Sequence, residues 1–98
     1  MWQVTDKWGN LIELTDERWQ HILENHWELR EHRDTILETV QTGRRKQSAM
    51  DPHKYTYYKD FDSLPHNYTR IVVIVKLIRN NFIITAYPIR KRRFHGSQ

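Results

Sequence analysis

The chain has 98 residues, which is enough for one domain and too few for two. It contains no cysteine, which excludes a disulfide scaffold, a thiol nucleophile and a cysteine zinc site, and which fits a cytoplasmic protein. The 16 lysine and arginine residues exceed the 12 acidic ones, for a formal charge of +4, and basic runs stand at 44–46 and 90–93. This excess favours a polyanion partner, although a solvated charged surface with a basic tail has the same composition.

No apolar run approaches the roughly 20 residues that span a bilayer, and Lys76 interrupts the most apolar stretch, 71–78. The first residues do not form a basic region followed by an apolar one, so we expect no secretory signal and no membrane association. We predict a single domain over residues 1–94 and a flexible tail over 95–98.

The first half of the chain predicts a β-hairpin and two helices. Residues 2–14 alternate as two short strands around a Gly9-Asn10 turn. A helix is predicted over 16–26, because Thr15 is a suitable N-cap and acidic residues follow it in the first turn. A second helix is predicted over 30–42, with Gly43 as its terminator.

The second half predicts an antiparallel sheet. A strand over 54–60 is followed by a loop over 60–67 and by a β-branched strand over 69–79. A two-residue turn, Asn80-Asn81, then leads into a returning strand over 82–87 that ends at Pro88. The order of hairpin, two helices and antiparallel strands predicts an α+β fold.

Two histidines stand on the first predicted helix. His21 and His26 are five residues apart, or about 140° around the helix, so they do not point the same way. A helical zinc pair needs a spacing of four, and no acidic cluster completes a site, so we expect no metal and no cofactor. One histidine facing a cleft while the other has a structural role is our interpretation. Either histidine could equally be an ordinary side chain of an amphipathic helix.

Lys76 and Thr85 form a second candidate pair. A lysine inside an apolar strand must reach solvent, a carboxylate or a phosphate. Hairpin pairing brings Lys76 near Thr85 on one face, within a register uncertainty of one or two residues. A lysine, a hydroxyl and an imidazole can together hold a phosphate and transfer protons without a metal. The alternatives are a lysine that extends to solvent and an ordinary strand threonine.

Tyrosines add aromatic surface to the predicted strands. Tyr55, Tyr57, Tyr58 and Tyr87 alternate with basic residues, a combination that suits base stacking and phosphate contact on single-stranded RNA. Packing within the sheet is the alternative for at least half of them.

Three segments of the chain together resemble a known family. They are Thr15…Arg18-Trp19…His21-Ile22…His26, then Val75-Lys76 and Thr85-Ala86-Tyr87-Pro88. They are similar to the phage- and toxin-associated branch of the barnase–EndoU–colicin–RelE-like nucleases, over about residues 2–90. That branch usually has proline after the second histidine, where this chain has Trp27. Without the proline, the sequence does not stop the first helix at His26.

The resemblance implies helices packed on a twisted antiparallel sheet of four or five strands. It also implies metal-independent RNA cleavage, in which the ribose 2′-hydroxyl attacks its own phosphodiester. By motif, His21 corresponds to the helix histidine that acts as base or acid, Lys76 to the lysine that neutralises the phosphorane, and Thr85 to the hydroxyl that positions a phosphate oxygen. The remaining expected site residues are Tyr58 as second acid or stacking surface, His26 as a further catalytic candidate, Tyr87 as support, and Arg44, Arg45 and Arg90 as phosphate-binding groups.

We therefore expect an endoribonuclease of a toxin–antitoxin system, with RNA (transfer or messenger RNA) and an acidic antitoxin as partners. Two other classes stay open. One is a catalytically inert RNA-binding or translation-regulating domain on the same fold, and the other is an interaction module for an acidic protein.

Overall fold

The computed structural model describes residues 1–90, which form two helices packed on one six-stranded sheet. The strands and helices are β1 (Trp2–Thr5), β2 (Leu11–Leu14), α1 (Asp16–Asn25), α2 (Arg33–Thr42), β3 (Arg44–Gln47), β4 (Lys54–Asp60), β5 (Arg70–Lys76) and β6 (Asn81–Ile89). Short 3₁₀ turns lie at Trp27–Leu29 and Pro65–Asn67. The predicted α+β class is confirmed. The expected tail, 95–98, and the basic residues 91–93 lie outside the described residues.

Helix α1 begins where the sequence predicts, because Thr15 caps it. Its hydroxyl oxygen accepts a hydrogen bond from the Arg18 main-chain N–H at 3.1 Å and so satisfies one of the free donors of the first turn. The helix ends at Asn25 and a separate 3₁₀ turn begins at Trp27, although no proline stands there. Neither α1 nor α2, the two α-helices of residues 1–90, is long and apolar enough to cross a bilayer.

The strands lie in the order β1-β2-β6-β5-β4-β3, and only β2 and β6 run parallel. The sheet therefore has six strands, not four or five, and a parallel pair joins the N-terminal hairpin to it. Strand β2 pairs only with Asn81 and Phe82 of β6. Among residues 1–90, the rest of β6 has a strand neighbour on one side only, so Pro88 is tolerated within it and β6 continues to Ile89.

The connection between β5 and β6 has four residues, 77–80, so the predicted two-residue turn is wrong. Strand β5 ends at Lys76, and the next N–H, of Leu77, donates to the carbonyl of His53, the residue opposite it in the β4–β5 register, at 2.7 Å. A β-bulge in β6 leaves Ile84 without a residue opposite it.

The two faces of the sheet differ in character. Residues directly opposite in the register share a face, and faces alternate along each strand. The face under the helices is apolar, and the core comprises Ile12, Leu14, Trp19, Ile22, Leu29, Ile36, Val40, Tyr57, Ile71, Val73, Val75, Ile83 and Ala86. The opposite face, called the open face below, carries Arg44, Lys46, Lys54, Thr56, Tyr58, Asp60, Arg70, Val72, Ile74, Lys76, Phe82, Thr85, Tyr87 and Ile89.

The sheet curls around α2, which contacts β1 at one end of the sheet and both β4 and β5 towards the other. The turn between β1 and β2 consequently meets β3. The guanidinium of Arg45 lies 4.0 Å from the centre of the Trp8 ring, and one of its nitrogens is 3.5 Å from the Asp6 carboxylate.

Gly43 joins α2 directly to β3, a strand that the sequence did not predict. A Cβ atom here would lie 2.7 Å from the Tyr58 carbonyl oxygen and even closer to the Thr39 carbonyl oxygen. The absence of a side chain is what lets β3 leave the helix and pair with β4 at once.

Candidate functional site

A row of four side chains crosses the open face. The register places Tyr87, Val72, Tyr58 and Arg44 opposite one another on β6, β5, β4 and β3. Neighbouring strands are about 4.8 Å apart, so the row is about 14 Å long. Val72 is buried between the two tyrosines, which are both partly exposed. We call this set the tyrosine row. It brings together three of the residues that the sequence proposed.

His26 lies at one end of the tyrosine row. It is the residue that follows α1, and its ring centre is 6.3 Å from that of Tyr87 with the planes 36° apart. Its Nδ1 atom is 3.5 Å from a carboxylate oxygen of Glu28, which orients the ring. An oriented imidazole with a third of its surface exposed can exchange a proton with a bound molecule.

His21 lies on another side of α1. It follows the core residue Trp19 by two positions, or about 200° around the helix, so its side chain leaves the helix away from Trp19. Its main-chain carbonyl accepts a hydrogen bond from Asn25 Nδ2 at 2.9 Å, which does not involve the imidazole. The two histidines are therefore not brought together, and His26 is the one placed against the tyrosine row.

Lys76 and Thr85 share the open face, as the predicted hairpin requires, but they are diagonal neighbours. Lys76 is opposite Phe82, and Thr85 is opposite Ile74. The Lys76 ammonium donates a hydrogen bond to Asp51, in the loop between β3 and β4, and forms an ion pair with it. This bond, ahead of one from a main-chain N–H, holds the pKa of Asp51 below its usual range. The lysine charge is thus matched by a carboxylate.

Lys76 lies four residues along β5 from Val72, the member of the tyrosine row on that strand. At a rise of about 3.3 Å per residue, the separation is about 13 Å, and Thr85 lies between. A single molecule that touches both Lys76 and the tyrosine row must therefore extend along the strand.

A cleft of about 350 Å³ opens at the Arg44 end of the tyrosine row, and we call it the β3 cleft. The charged and aromatic side chains that line it are Lys7, Arg44, Tyr58, Lys59, Asp60 and Arg70. Arg70 donates to Asp60 at 2.6 Å, which raises the pKa of Arg70, and its guanidinium lies 4.8 Å from the Tyr58 ring centre. Four cations and one carboxylate make this cleft electropositive.

Lys7 and Arg44 are the cations of the β3 cleft that have no carboxylate partner within residues 1–90. Lys59, by contrast, donates to Glu38 at 2.7 Å. Arg44 was proposed from the sequence as a phosphate contact, whereas Lys7 was not. Lys7 lines the cleft because the curl of the sheet brings the β1–β2 turn next to β3. The order of residues in the sequence does not reveal this proximity.

Arg45, also proposed as a phosphate contact, has an enclosed environment. Its side chain is 19% exposed, and the guanidinium packs against the Trp8 ring at 4.0 Å and the Tyr55 ring at 4.5 Å. It also donates to the Tyr57 hydroxyl at 3.4 Å. The aromatic rings leave little of this guanidinium open to a ligand.

The residue that organises this environment is Asp6, which the sequence did not single out. Its buried carboxylate accepts hydrogen bonds from the Tyr57 hydroxyl, from the Asn10 side chain, and from the main-chain N–H groups of Trp8 and Asn10 at 2.9 and 2.8 Å. Burial alone would raise the pKa of Asp6, but these bonds outweigh it and lower that pKa. Burial and the Asp6 bond also raise the pKa of Tyr57 well above its usual value. We call Asp6, Trp8, Tyr55, Tyr57 and Arg45 the aromatic–aspartate cluster.

Arg90, the last proposed phosphate contact, lies at the far end of β6. Its guanidinium donates two hydrogen bonds to the His66 carbonyl, at 2.9 and 3.1 Å, and lies 4.5 Å from the Tyr68 ring centre. These contacts hold it against the loop between β4 and β5.

Within residues 1–90, no group of three or more histidine, aspartate and glutamate side chains is arranged to hold a metal ion. Arg70 is a site residue that the sequence reasoning missed. Its even spacing from Lys76 along β5 was the available signal, because residues with this spacing share a strand face. Comparison with protein-family models, with curated proteins and with solved structures finds no match to this chain.

Proposed function

We propose that this protein is a metal-independent endoribonuclease that binds single-stranded RNA across its open face. The observation that carries the proposal is the tyrosine row, which has an imidazole at one end and an electropositive cleft at the other. Aromatic rings suit base stacking, and the guanidinium groups suit phosphates. The family resemblance of the sequence supports the same chemistry.

In the proposed reaction, His26 accepts the proton of a ribose 2′-hydroxyl while that oxygen attacks the neighbouring phosphorus. The bond from phosphorus to the 5′ oxygen breaks, and the products are a 2′,3′-cyclic phosphate and a 5′-hydroxyl. The leaving oxygen takes its proton from the Tyr58 hydroxyl, and Arg70, stacked on that ring, offsets the negative charge that develops on the phosphate. We assign His26 the role that the sequence gave to His21 because of its contact with Tyr87.

Lys76 and Thr85 have a secondary part in this proposal. They lie along β5 and β6 from the tyrosine row, so they would contact the phosphate of a neighbouring nucleotide. Asp51 must share Lys76 with that phosphate.

The test is RNA cleavage by His26→Ala beside its matched control, His21→Ala, in the presence of EDTA. Since a general base contributes about 10²–10⁴-fold, we expect His26→Ala to lose rate by that factor and His21→Ala to stay within about threefold of wild type. Gel electrophoresis with end-mapping of the fragments gives both the rate and the cyclic phosphate terminus. Full activity in His26→Ala would remove His26 from the mechanism, and the reverse pattern would restore the role of His21.

A domain that binds RNA without cleaving it is the second candidate. The ion pair between Lys76 and Asp51 favours it, because the predicted catalytic lysine is already neutralised. A gel shift with intact RNA in wild type, and the absence of any cleaved ends, would select this interpretation over the nuclease.

We further propose that the protein acts in the cytoplasm as the toxin of a toxin–antitoxin pair, with an acidic antitoxin that covers the open face. The basic side chains of that face support an acidic partner. Growth arrest on expression, relieved by His26→Ala or by a neighbouring open reading frame, is the expected result. Unimpaired growth with active, folded protein would contradict it.

A further inference from the structure

We propose that the β3 cleft is a phosphate-binding subsite, in which Lys7 and Arg44 hold a phosphate group of the RNA at a distance from the cleaved bond. This inference rests on the proposed ribonuclease function, and it names the part of the substrate that anchors the strand.

The charge arrangement of the cleft is the first support. Lys59 is matched by Glu38 at 2.7 Å, and Arg70 by Asp60 at 2.6 Å. Lys7 and Arg44, both exposed, have no carboxylate partner within residues 1–90. Two unmatched positive charges at one concave site fit a phosphate, which carries one negative charge as a diester and up to two as a terminal monoester.

The geometry of the donors is the second support. Arg44 offers the planar fork that suits a phosphate, and Lys7 adds a compact charge from a different part of the chain. Arg70 lines the same cleft, and beside its two bonds to Asp60 it keeps N–H groups for the phosphate at the cleaved bond, to which it is assigned above. Arg44 and Lys7, from β3 and the β1–β2 turn, are the two side chains left for the neighbouring phosphate.

The position of the cleft relative to the tyrosine row is the third support. Tyr58 belongs to both, so a strand bound in the cleft continues onto the open face without a gap. Arg44 is about 14 Å from Tyr87, the ring beside His26, because three strand spacings separate them. The phosphate in the cleft is thus a different group from the phosphate of the cleaved bond, beside which His26 accepts a proton.

The test measures binding of an uncleavable RNA by wild type and by Arg44→Ala, Lys7→Ala and Arg79→Ala. Arg79 is the matched control, because it is an exposed arginine in the connection between β5 and β6 and has no ion pair within residues 1–90. The probe is a fluorescent oligoribonucleotide with every 2′-hydroxyl methylated, in three forms: 5′-phosphorylated, 3′-phosphorylated, and without a terminal phosphate. Anisotropy titrations at several salt concentrations give Kd and its salt dependence.

We expect Arg44→Ala to weaken binding about tenfold, and Lys7→Ala several-fold, at low salt. The slope of log K against log salt falls in magnitude by about 0.7 for each phosphate that the protein no longer neutralises, while Arg79→Ala stays within about twofold of wild type. A weakening confined to one end-phosphorylated probe assigns the site to that terminal phosphate, and an equal weakening with all three assigns it to an internal phosphodiester. Wild-type affinity in both cleft variants, or an equal weakening in Arg79→Ala, would overturn the proposal.

Failure of the subsite and failure of the nuclease function give different results. RNA that is cleaved normally and bound equally by all variants rejects the subsite and keeps the function. If wild type binds none of the probes, an NMR titration with inorganic pyrophosphate shows whether the cleft binds phosphate at all. A saturable change in the amide chemical shifts of Gly43 and Arg44, abolished in Arg44→Ala, keeps the subsite and rejects RNA as its ligand. The absence of that change rejects both the subsite and the ribonuclease function.

Discussion

Arg44 and Arg45 are consecutive residues of one short strand, and they have opposite environments. Arg44 is exposed and lines the β3 cleft, whereas Arg45 is enclosed by two aromatic rings and the buried carboxylate of Asp6. The cause is the twofold alternation of a strand, which sends successive side chains to opposite faces. A basic run in a sequence is therefore not one patch, because half of its charges can have structural roles.

The two regions around these arginines differ in the same way. In the aromatic–aspartate cluster, polar groups are matched by partners from elsewhere in the chain, and the carboxylate of Asp6 alone receives hydrogen bonds from three residues. In the β3 cleft, Lys7 and Arg44 have no carboxylate partner within the described residues. A satisfied network stabilises the fold, whereas unmatched charge at a concave surface is available to a ligand.

Gly43→Ala should have the largest effect on stability, because it disturbs β3, the strand that directs Arg44 and Arg45 to opposite faces of the sheet. The added methyl group would lie 2.7 Å from the Tyr58 carbonyl oxygen, so β3 must shift from β4. We expect a decrease of about 3 kcal/mol or more in the free energy of unfolding, measured by urea denaturation. Gly9→Ala is not a steric counterpart, since its cost comes from a φ of 83° with open space around it. If Gly43→Ala had the urea denaturation midpoint of wild type, β3 could move away from β4 at little cost in free energy.

Arg45→Ala should destabilise the protein by about 2–3 kcal/mol, and Arg44→Ala, its matched control, by less than about 0.5 kcal/mol. Removing Arg45 leaves the buried Asp6 without its cation and opens space between two rings. Urea denaturation of the two variants measures the difference directly. Equal destabilisation would mean that the alternation of β3 does not separate structural from ligand-binding charge.

The smallest of these effects should be the contribution of Asp6 to the decrease of stability at acid pH. The pKa of Asp6 is lowered in the fold, so its contribution is present above the unfolded pKa of about 3.9 and is lost as pH falls through the folded value. In Asp6→Asn we expect lower stability at pH 7 and a flatter decline of the denaturation midpoint below pH about 4. Asp62→Asn, an exposed carboxylate, should retain the wild-type slope. An unchanged acid slope in Asp6→Asn would show that other carboxylates govern acid unfolding.

The parts of the fold that the sequence predicts are those with local causes. The cap at Thr15 and the alternation of 54–60 act within a few residues, and the structure reproduces both. Strand β3 could not be predicted in this way, because Arg-Arg-Lys-Gln has neither apolar alternation nor β-branched residues. It becomes a strand through its pairing with β4, which Gly43 permits.

The same distinction between local and tertiary causes applies to the candidate site. Residues that share a strand face were predictable, and the open face indeed carries Lys76 and Thr85 together. The contact of Tyr57 with Asp6, 51 positions apart, depends on the curl of the sheet, which has no local signal. Likewise, spacing on a helix shows that His21 and His26 diverge, but not which of them meets Tyr87.

The side of β6 that lacks a strand neighbour has a consequence for how copies of this chain behave in concentrated solution. Most of β6 beyond Phe82 has no strand on that side within residues 1–90, and an apolar strand edge of this kind invites identical molecules to join through main-chain hydrogen bonds. The Arg18 guanidinium occupies the Ile84 carbonyl at 3.3 Å, and Pro88 offers no N–H. These two residues remove an acceptor and a donor from the edge, so they act as gatekeepers against strand-to-strand aggregation.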